Sequence, residues 1–326
     1  MNGDEQFTAL EKATSSMDAV RITDRTVDSI TLQYKSAGGI GTVRRFALFP
    51  GIFLGFNDVE TSSFPRFKGS LIEGVKINFC IDGRCEVKMS DGIYLFLEAG
   101  DVSVSSLTIS DNFSLPYDRY HGIELQIYDS ALKQTLPSLL DTCGIDLLSI
   151  CKKFSSVSHH FVTKASEKIT SVFLAMTDVV PGCELAYLRL KVTELLFLLM
   201  YTEIPIEKDR RYFFTMGQIK IAKQVMHRIT TDLSEHHSIE KLAQRFSISP
   251  SSLNKYFCGV YGKSISSYLR GKRMNKAAEY LEKSRYPIAD IALMIGYENA
   301  SKFAAVFKAA KGQSPLEYRR RYKVLI

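Results

Sequence analysis

The chain has 326 residues, of which 45% are hydrophobic and 24% are charged, and its net charge is +7. This length suggests about two domains of roughly 150 residues each, and the composition is that of a folded globular protein. No apolar run approaches the ~20 residues that a membrane-spanning helix needs, and the first residues lack the basic-then-apolar pattern of a signal peptide. We therefore expect a cytoplasmic protein without a membrane partner.

Residues 1–130 carry the pattern of a β domain. From about residue 40 onward, short segments rich in Val, Ile, Phe and Tyr lie between Gly and Asp turn signals. The stretches 74–81 and 85–90 alternate apolar and polar residues around 82–84, which predicts two strands joined by a turn. Regular spacing of this kind favours an antiparallel sandwich or barrel.

The pattern becomes helical between residues 131 and 204, and the strongest helix covers 183–204. An i, i+3, i+4, i+7 stripe runs along that helix, formed by Leu185, Leu188, Val192, Leu195, Leu196 and Leu199. Further apolar residues widen it: Leu190, Phe197, Leu198 and Met200. A helix that is apolar around most of its girth is buried or contacts a second chain. The pattern favours a dimer contact and leaves open packing onto the chain's own sheet alone.

A polar stretch with a proline and a run of charges, residues 205–217, predicts a linker between domains. The segment 218–326 that follows contains 20 Lys and Arg against 8 Asp and Glu, a net charge of +12. The rest of the chain has a net charge of −5. This asymmetry indicates a polyanionic partner for the C-terminal segment.

The C-terminal segment contains an internal repeat with a period of 50 residues. The matching pairs are Leu253 and Phe303, Phe257 and Phe307, Gly262 and Gly312, Ser264 and Ser314, Tyr268 and Tyr318, and Arg270 and Arg320. Upstream, 238–243 parallels 287–292 with an offset of 49, so the second turn contains one extra residue. Two similar units in tandem indicate a duplicated supersecondary structure.

Each repeat predicts a short helix, a turn and a second helix. The short helices are expected at 239–246 and 288–294, and the second helices follow the N-caps Ser249 and Asn299. Two helices joined by such a turn form a helix-turn-helix, with an ordinary helical hairpin as the alternative; two copies on a basic segment favour DNA binding. A long helix over 264–284 would span ~30 Å, which suits two reading helices in successive major grooves.

The end of the chain resembles the C-terminal signature of the AraC/XylS-type transcription regulators. The likeness covers residues 218–326 and rests on Ile288, Ala289, Ile291, Ala292, Gly296, Tyr297, Phe303, Phe307, Lys308, Gly312, Ser314, Pro315, Tyr318 and Arg319. Residues 1–130 are similar to the cupin-like sensor domains of the same family, particularly those that regulate siderophore-uptake genes. The resemblance implies a cupin-like β-barrel over 1–130, a helical dimerisation segment over 131–204 and an all-α double helix-turn-helix domain over 218–326.

The function that this resemblance implies is transcription regulation, usually activation. The expected partners are double-stranded promoter DNA, RNA polymerase, a small-molecule effector and a second copy of the chain. In the first unit the resemblance assigns base reading to Ser251, Asn254 and Lys255, and places Ser252 and Lys263 near phosphates. The chemistry agrees, because asparagine can pair with adenine and lysine can donate to guanine.

The second unit departs from the family pattern, because the equivalent reading positions hold Ala300, Ser301, Ala304 and Ala305. Alanine offers only a methyl contact, so we expect weak base discrimination there. The residues expected to position this unit on the DNA backbone are Asn299, Ser301, Lys302, Arg319 and Arg320.

The β domain leaves two questions open. Phe79, Tyr94 and Phe96 predict an aromatic pocket for an apolar effector, with a filled core as the alternative. A cupin-type enzyme fused to a DNA-binding tail is a second possible function, but metal-dependent cupins need several histidines and none precedes His121. We therefore expect no metal, no cofactor and no enzyme activity. An architectural DNA-binding protein without an effector is the third. His236 and His237 are expected on the solvated surface.

Overall fold

The computed structural model describes residues 7–8, 11, 19–36, 39–61, 74–88, 94–106, 112–115, 119–132, 135–155, 160–179, 182–203 and 213–323. The chain separates into two compact units, Met1–Phe213 and Phe214–Ile326. Residues 205–212 of the predicted linker lie outside the described residues.

The first unit is built on an antiparallel sheet. Its strands are β1 (Val20–Arg25), β2 (Ser29–Ser36), β3 (Gly39–Phe49), β4 (Ile52–Thr61), β5 (Gly74–Lys88), β6 (Tyr94–Glu98), β7 (Asp101–Ser106), β8 (Asn112–Ser114), β9 (Tyr120–Tyr128) and β10 (His160–Lys164). They are ordered β1-β2-β3-β4-β9-β5-β6, with β7 and β8 also paired to β5, and β10 paired to β7. The expected barrel is wrong, because the sheet is open: among the described strands β1 pairs with β2 alone, so nothing closes that edge.

Strand β5 corrects a second expectation, because residues 82–84 do not turn the chain back. The strand continues through them, and its register against β9 shifts between Cys80 and Asp82. Such a β-bulge bends a strand and increases its twist. Gly83 has φ 85° and lies against the Arg119 carbonyl oxygen, where a Cβ would clash. The first half of β5 therefore pairs with β7 and β9, and its last residues pair with β6 and β8.

Helices cover one face of this sheet. They are α1 (Asp129–Leu132), α2 (Ser138–Thr142), α3 (Leu147–Ser155), α4 (Glu167–Ala175) and α5 (Glu184–Tyr201). Val75, Ile77 and Phe79 of β5 share one buried cluster with apolar residues of α2 to α5. Burial of this apolar surface is the main favourable term that holds the helices to the sheet.

The predicted helix over 183–204 is confirmed as α5. Its buried residues are Leu188, Val192, Thr193, Leu195, Leu196 and Leu199. The Arg189 guanidinium donates a hydrogen bond from Nε to the Leu48 carbonyl at 2.7 Å and so fixes α5 to β3. On its other side Leu190, Phe197 and Tyr201 are 57%, 46% and 70% exposed. The helix therefore packs onto its own sheet and also presents an apolar stripe.

The second unit is helical after the short β11 (Phe213–Phe214). Its helices are α6 (Met216–Thr231), α7 (Ile239–Arg245), α8 (Pro250–Tyr261), α9 (Ile265–Lys283), α10 (Ile288–Met294), α11 (Ala300–Lys311) and α12 (Pro315–Lys323). The predicted helices at 239–246, 264–284 and 288–294 are confirmed to within one residue at each end.

Candidate nucleic-acid interface

The first unit consists of α7, a tight turn and α8. At the end of α7 the N–H of Ile248 donates to the Ala243 carbonyl at 3.3 Å, the 6→1 bond of a Schellman motif. The residue between them, Ser247, has φ 54°. A left-handed conformation costs an L-residue about 1–2 kcal/mol, so this turn is maintained against local strain.

Helix α8 begins as the sequence predicts. The Ser249 hydroxyl caps it by accepting from the Ser252 N–H at 3.1 Å, and Pro250 is the first helical residue. The same hydroxyl lies 2.9 Å from the hydroxyls of Ser251 and Ser252. Ser251 and Lys255 are exposed at the start of the helix. These positions suit contact with DNA, because the N-terminal part of a recognition helix contacts the base edges.

Asn254 is placed differently from what its expected role requires. The residue is half-buried, and its Oδ1 atom has neither accessible surface nor a hydrogen-bond partner among the described residues. An unpaired buried amide oxygen costs free energy. A rotation of the side chain that brings Oδ1 to the surface would remove this cost and create the acceptor that an adenine pair needs.

The second unit repeats this construction. The N–H of Tyr297 donates to the Ala292 carbonyl at 2.9 Å, and the residue between α10 and this bond, Gly296, has φ 80°. Asn299 caps α11 by accepting from the Lys302 N–H at 2.9 Å. The predicted N-cap is thus confirmed, and the extra residue of the second turn is Glu298.

The two units also share the core beneath their second helices. The rings of Phe257 and Tyr268 meet edge to face, with centroids 5.4 Å apart and planes at 81°. Phe307 and Tyr318 do the same at 5.3 Å and 84°. Both second helices end at a left-handed glycine, Gly262 or Gly312. Each is followed at once by the next helix, α9 or α12.

The last predicted contacts divide into exposed and occupied side chains. Ser301, Lys302, Lys263 and Arg320 are exposed. Arg319 is half-buried, and its Nη2 donates to the Tyr286 carbonyl at 2.6 Å. Arg319 therefore holds α12 to the segment after α9, which reduces its availability to a phosphate.

Two residues at this surface were missed or misjudged from the sequence. Lys308 is exposed on α11, where Cys258 occupies the matching position of α8. The histidine expectation is wrong for His237, because its side chain is only 4% exposed. Burial lowers the pKa of His237, against the charge of Glu235, whose carboxylate lies 3.8 Å from Nδ1. The i+3 and i+4 spacing of Lys308 could have identified it, whereas the burial of His237 depends on distant contacts.

The predicted aromatic pocket of the first unit is occupied in part by the protein itself. Phe79 is buried and stacks on Phe173 of α4, with centroids 4.7 Å apart and planes at 5°. Tyr94 and Phe96 are also buried, and Phe96 lies beside the Arg84 guanidinium at 5.3 Å. For Phe79 the filled-core alternative describes the geometry.

The opposite face of the sheet carries buried polar side chains that the sequence pattern did not single out. Asn78, Ser103 and Gln126 are buried, and Asn78 lies directly opposite Ser103 in the register of β5 and β7. The Tyr120 hydroxyl donates to Asn78 Oδ1 at 2.7 Å. The Tyr128 hydroxyl donates to Gln126 Oε1 at 2.8 Å. We call Asn78, Ser103, Glu124 and Gln126 the polar row.

Two searches over the described part of the chain gave negative results. No group of three or more His, Cys, Asp or Glu side chains is arranged to hold a metal ion there. In the same residues, no helix combines the length and the apolar character needed to cross a membrane.

Two tandem helix-turn-helix units on a segment of net charge +12 define a DNA-binding protein. A helix-turn-helix family model matches residues 242–321. The chain is 30% identical over 120 residues to the HTH-type transcriptional activator AarP of Providencia stuartii, covering 37% of this chain and 87% of AarP. It is 34% identical over 84 residues to the arabinose operon regulatory protein of Salmonella typhimurium, covering 26% of this chain and 30% of that protein.

Among solved structures, the C-terminal domain of AraT, a response regulator from Geobacillus stearothermophilus, is similar with 33% identity and a TM-score of 0.30, covering 31% of this chain and 84% of that one. The chain belongs to the AraC-type family of transcription regulators, and it is a DNA-binding transcription regulator. The match spans only about a third of the longer curated relatives.

Proposed function

We propose that the chain is an effector-responsive activator that binds promoter DNA as a dimer, with α8 and α11 of each copy in successive major grooves. The observation that carries the proposal is the duplicated unit, in which caps, turns and ring pairs recur at the two ends of α9. At 1.5 Å per residue the 19 residues of α9 span ~28 Å, close to the ~34 Å of one DNA turn.

Within this arrangement the first unit supplies most of the base reading. Ser251 and Lys255 are exposed at the start of α8, and Asn254 joins them after its side chain rotates outward. Ser252 and Lys263 contact the flanking phosphates. Contacts to base edges specify sequence, whereas contacts to phosphates fix position.

The second unit is proposed to hold the DNA backbone. Its second helix exposes Lys302 and Lys308 beside Ala305, Ala309 and Ala310. Lysine donates to phosphates without regard to sequence. Arg320 adds a further cation, whereas Arg319 is expected to contribute through its contact with Tyr286.

The dimer contact is proposed on the exposed face of α5. The exposed positions along this face are Cys183, Ala186, Leu190, Glu194, Phe197 and Tyr201. Their spacing of three and four residues is that of a helix–helix seam, which supports a second copy as its occupant. Replacing Leu190 and Phe197 with Asp is expected to convert dimers to monomers in sedimentation velocity, whereas Lys168→Asp on the exposed side of α4 changes nothing.

For residues 1–130, we propose a cupin-like sensor domain, followed by a helical dimerisation segment (131–204), a linker (205–217) and the DNA-binding domain (218–326). The polar row supports a polar effector more than the apolar one that Phe79, Tyr94 and Phe96 suggested, because Phe79 packs in a filled core. Effector binding is proposed to change how the two copies engage the promoter and RNA polymerase in the cytoplasm. No catalysis is part of this proposal.

The test is selection of the full-length chain on a pool of random DNA duplexes, followed by footprinting on the selected site. We expect two protected segments per copy, centred about one helical turn apart on one face of the DNA. Information content should concentrate in the segment under α8. A single protected segment per copy would contradict the two-groove arrangement, and equal information in both segments would contradict the ranking of the two units.

A further inference from the structure

Where α9 passes between the two helix-turn-helix units, Arg273 connects parts of both. Its Nε donates to the Leu233 carbonyl at 2.8 Å, and its Nη2 donates to the Glu235 carbonyl at 3.1 Å. Both carbonyls belong to the loop between α6 and α7, which leads into the first unit. The same guanidinium lies 5.8 Å from the ring centroid of Tyr297, in the turn of the second unit.

The two units also meet directly at this point. A Cβ built on Gly296 would lie 2.8 Å from the Ser234 carbonyl oxygen, 2.9 Å from that of Leu233 and 2.7 Å from Nη2 of Arg273. The turn of the second unit therefore presses its backbone against the entry loop of the first. Glycine is needed here for the close approach as well as for its φ of 80°.

The entry loop is itself ordered by side chains. Asp232 accepts from the Ser234 N–H at 2.8 Å and from its hydroxyl at 2.6 Å. Arg228 at the end of α6 forms an ion pair with Glu235 at 2.9 Å. A loop held on both sides gives Arg273 two carbonyls in fixed positions. A planar guanidinium can reach both at once, whereas a lysine ammonium acts as a point donor.

We infer that Arg273, with Gly296 and Tyr297, is a positioning site that fixes the orientation of the second unit relative to the first. The inference rests on the proposed two-groove binding. Two binding modules act together only when the connection between them allows both to engage at once, and a rigid connection favours one separation. The junction therefore sets the spacing of the two DNA segments that the chain recognises.

The experiment uses the full-length chain and the site obtained by selection, together with duplexes that carry insertions or deletions of one base pair between the two protected segments. The wild type should lose affinity about tenfold or more for each one-base-pair change, because the second unit can no longer engage. Arg273→Lys keeps the net charge, so its salt dependence should stay unchanged. We expect it to weaken binding at the preferred spacing and to reduce the preference to less than about threefold.

Two further variants make the outcome decisive. Arg285→Lys, an exposed arginine just after α9, is the matched control and should behave as the wild type. Tyr297→Leu removes the ring beside the guanidinium and should also broaden the spacing preference, which keeps the test available if Arg273→Lys folds poorly. A full spacing preference in both Arg273→Lys and Tyr297→Leu would overturn the inference, even if their melting temperatures fall. Failure of the wild type to protect two segments would instead overturn the two-groove proposal.

Discussion

The two helix-turn-helix units share a scaffold and differ on the surface. Their ring pairs agree to 0.1 Å in centroid distance and 3° in interplanar angle. Outside this core, Asn254 and Lys255 of α8 correspond to Ala304 and Ala305 of α11, whereas Ser252 corresponds to Lys302. The comparison teaches that the core of a duplicated unit can stay constant while one copy reads bases and the other binds the backbone.

The largest expected effect tests the equality of the two scaffolds. Phe257→Ala and Phe307→Ala each remove a fully buried ring, which costs about 3–5 kcal/mol of folding stability. The two losses should match within about 1 kcal/mol, because the rings have the same partners. Chemical denaturation of the full chain, followed by the transition of the second unit, measures both. A loss confined to one variant would show that the units are not equivalent inside.

The next effect tests the division of roles. Lys255→Ala should cost about 1–3 kcal/mol on the selected site and relax its sequence preference. Lys302→Ala should weaken binding by a similar factor on all sequences and reduce the salt slope by about 1. Fluorescence anisotropy on specific and scrambled duplexes separates the two outcomes. If Lys255→Ala left binding unchanged while Ser301→Ala abolished it, the second unit would be the reader.

A smaller effect distinguishes the two turns. Ser247 and Gly296 occupy the same left-handed position, but only the glycine faces neighbouring backbone. Ser247→Gly should therefore raise stability by a few tenths to about 1 kcal/mol. Gly296→Ala should lower it by more than about 1–2 kcal/mol, because the clash adds to the strain. Thermal melting of the two variants compares them, and equal and opposite shifts would argue against the crowded junction.

The smallest effect concerns pH and the first unit alone. His237 is buried beside Glu235, with Arg228, Arg273 and Asp232 nearby, and its pKa is lowered by burial. The unfolded chain therefore takes up a proton at a higher pH than the folded chain does. This contribution to stability is complete above the ordinary histidine pKa of about 6.5 and is lost as the pH falls through and below it.

His237→Gln should flatten the dependence of the melting temperature on pH between about 7 and 5. His236→Gln, on the exposed neighbour, is the matched control and should leave the slope unchanged. A steeper slope in His237→Gln would mean that the histidine is stabilised in its charged form.

The sequence predicted the features that depend on neighbouring residues. The caps at Ser249 and Asn299 need only a side chain three residues before the N–H that it accepts from. The capping box at the start of α12 is of the same kind: Ser314 N–H donates to Glu317 at 2.8 Å, and Glu317 N–H donates to Ser314 Oγ at 3.3 Å. Residue type and spacing are sufficient for such motifs.

Features that depend on distant residues were not predicted. Gly83 looked like part of a hairpin, but its neighbour in space is Arg119, from another strand. Arg319 looked like a free cation, but its partner is the Tyr286 carbonyl, 33 residues earlier. The orientation of Asn254 depends on the packing around α8. Such contacts are decided by tertiary structure, which a single sequence does not display.

Helix α9 has a consequence for how this protein can change over generations. Each residue inserted into α9 would turn the second unit by about 100° around the helix axis and move it ~1.5 Å along it. One insertion would therefore point α11 away from the DNA, and a second would point it elsewhere again. Surface residues of α9 can be exchanged freely, but its length is tied to the pitch of the double helix.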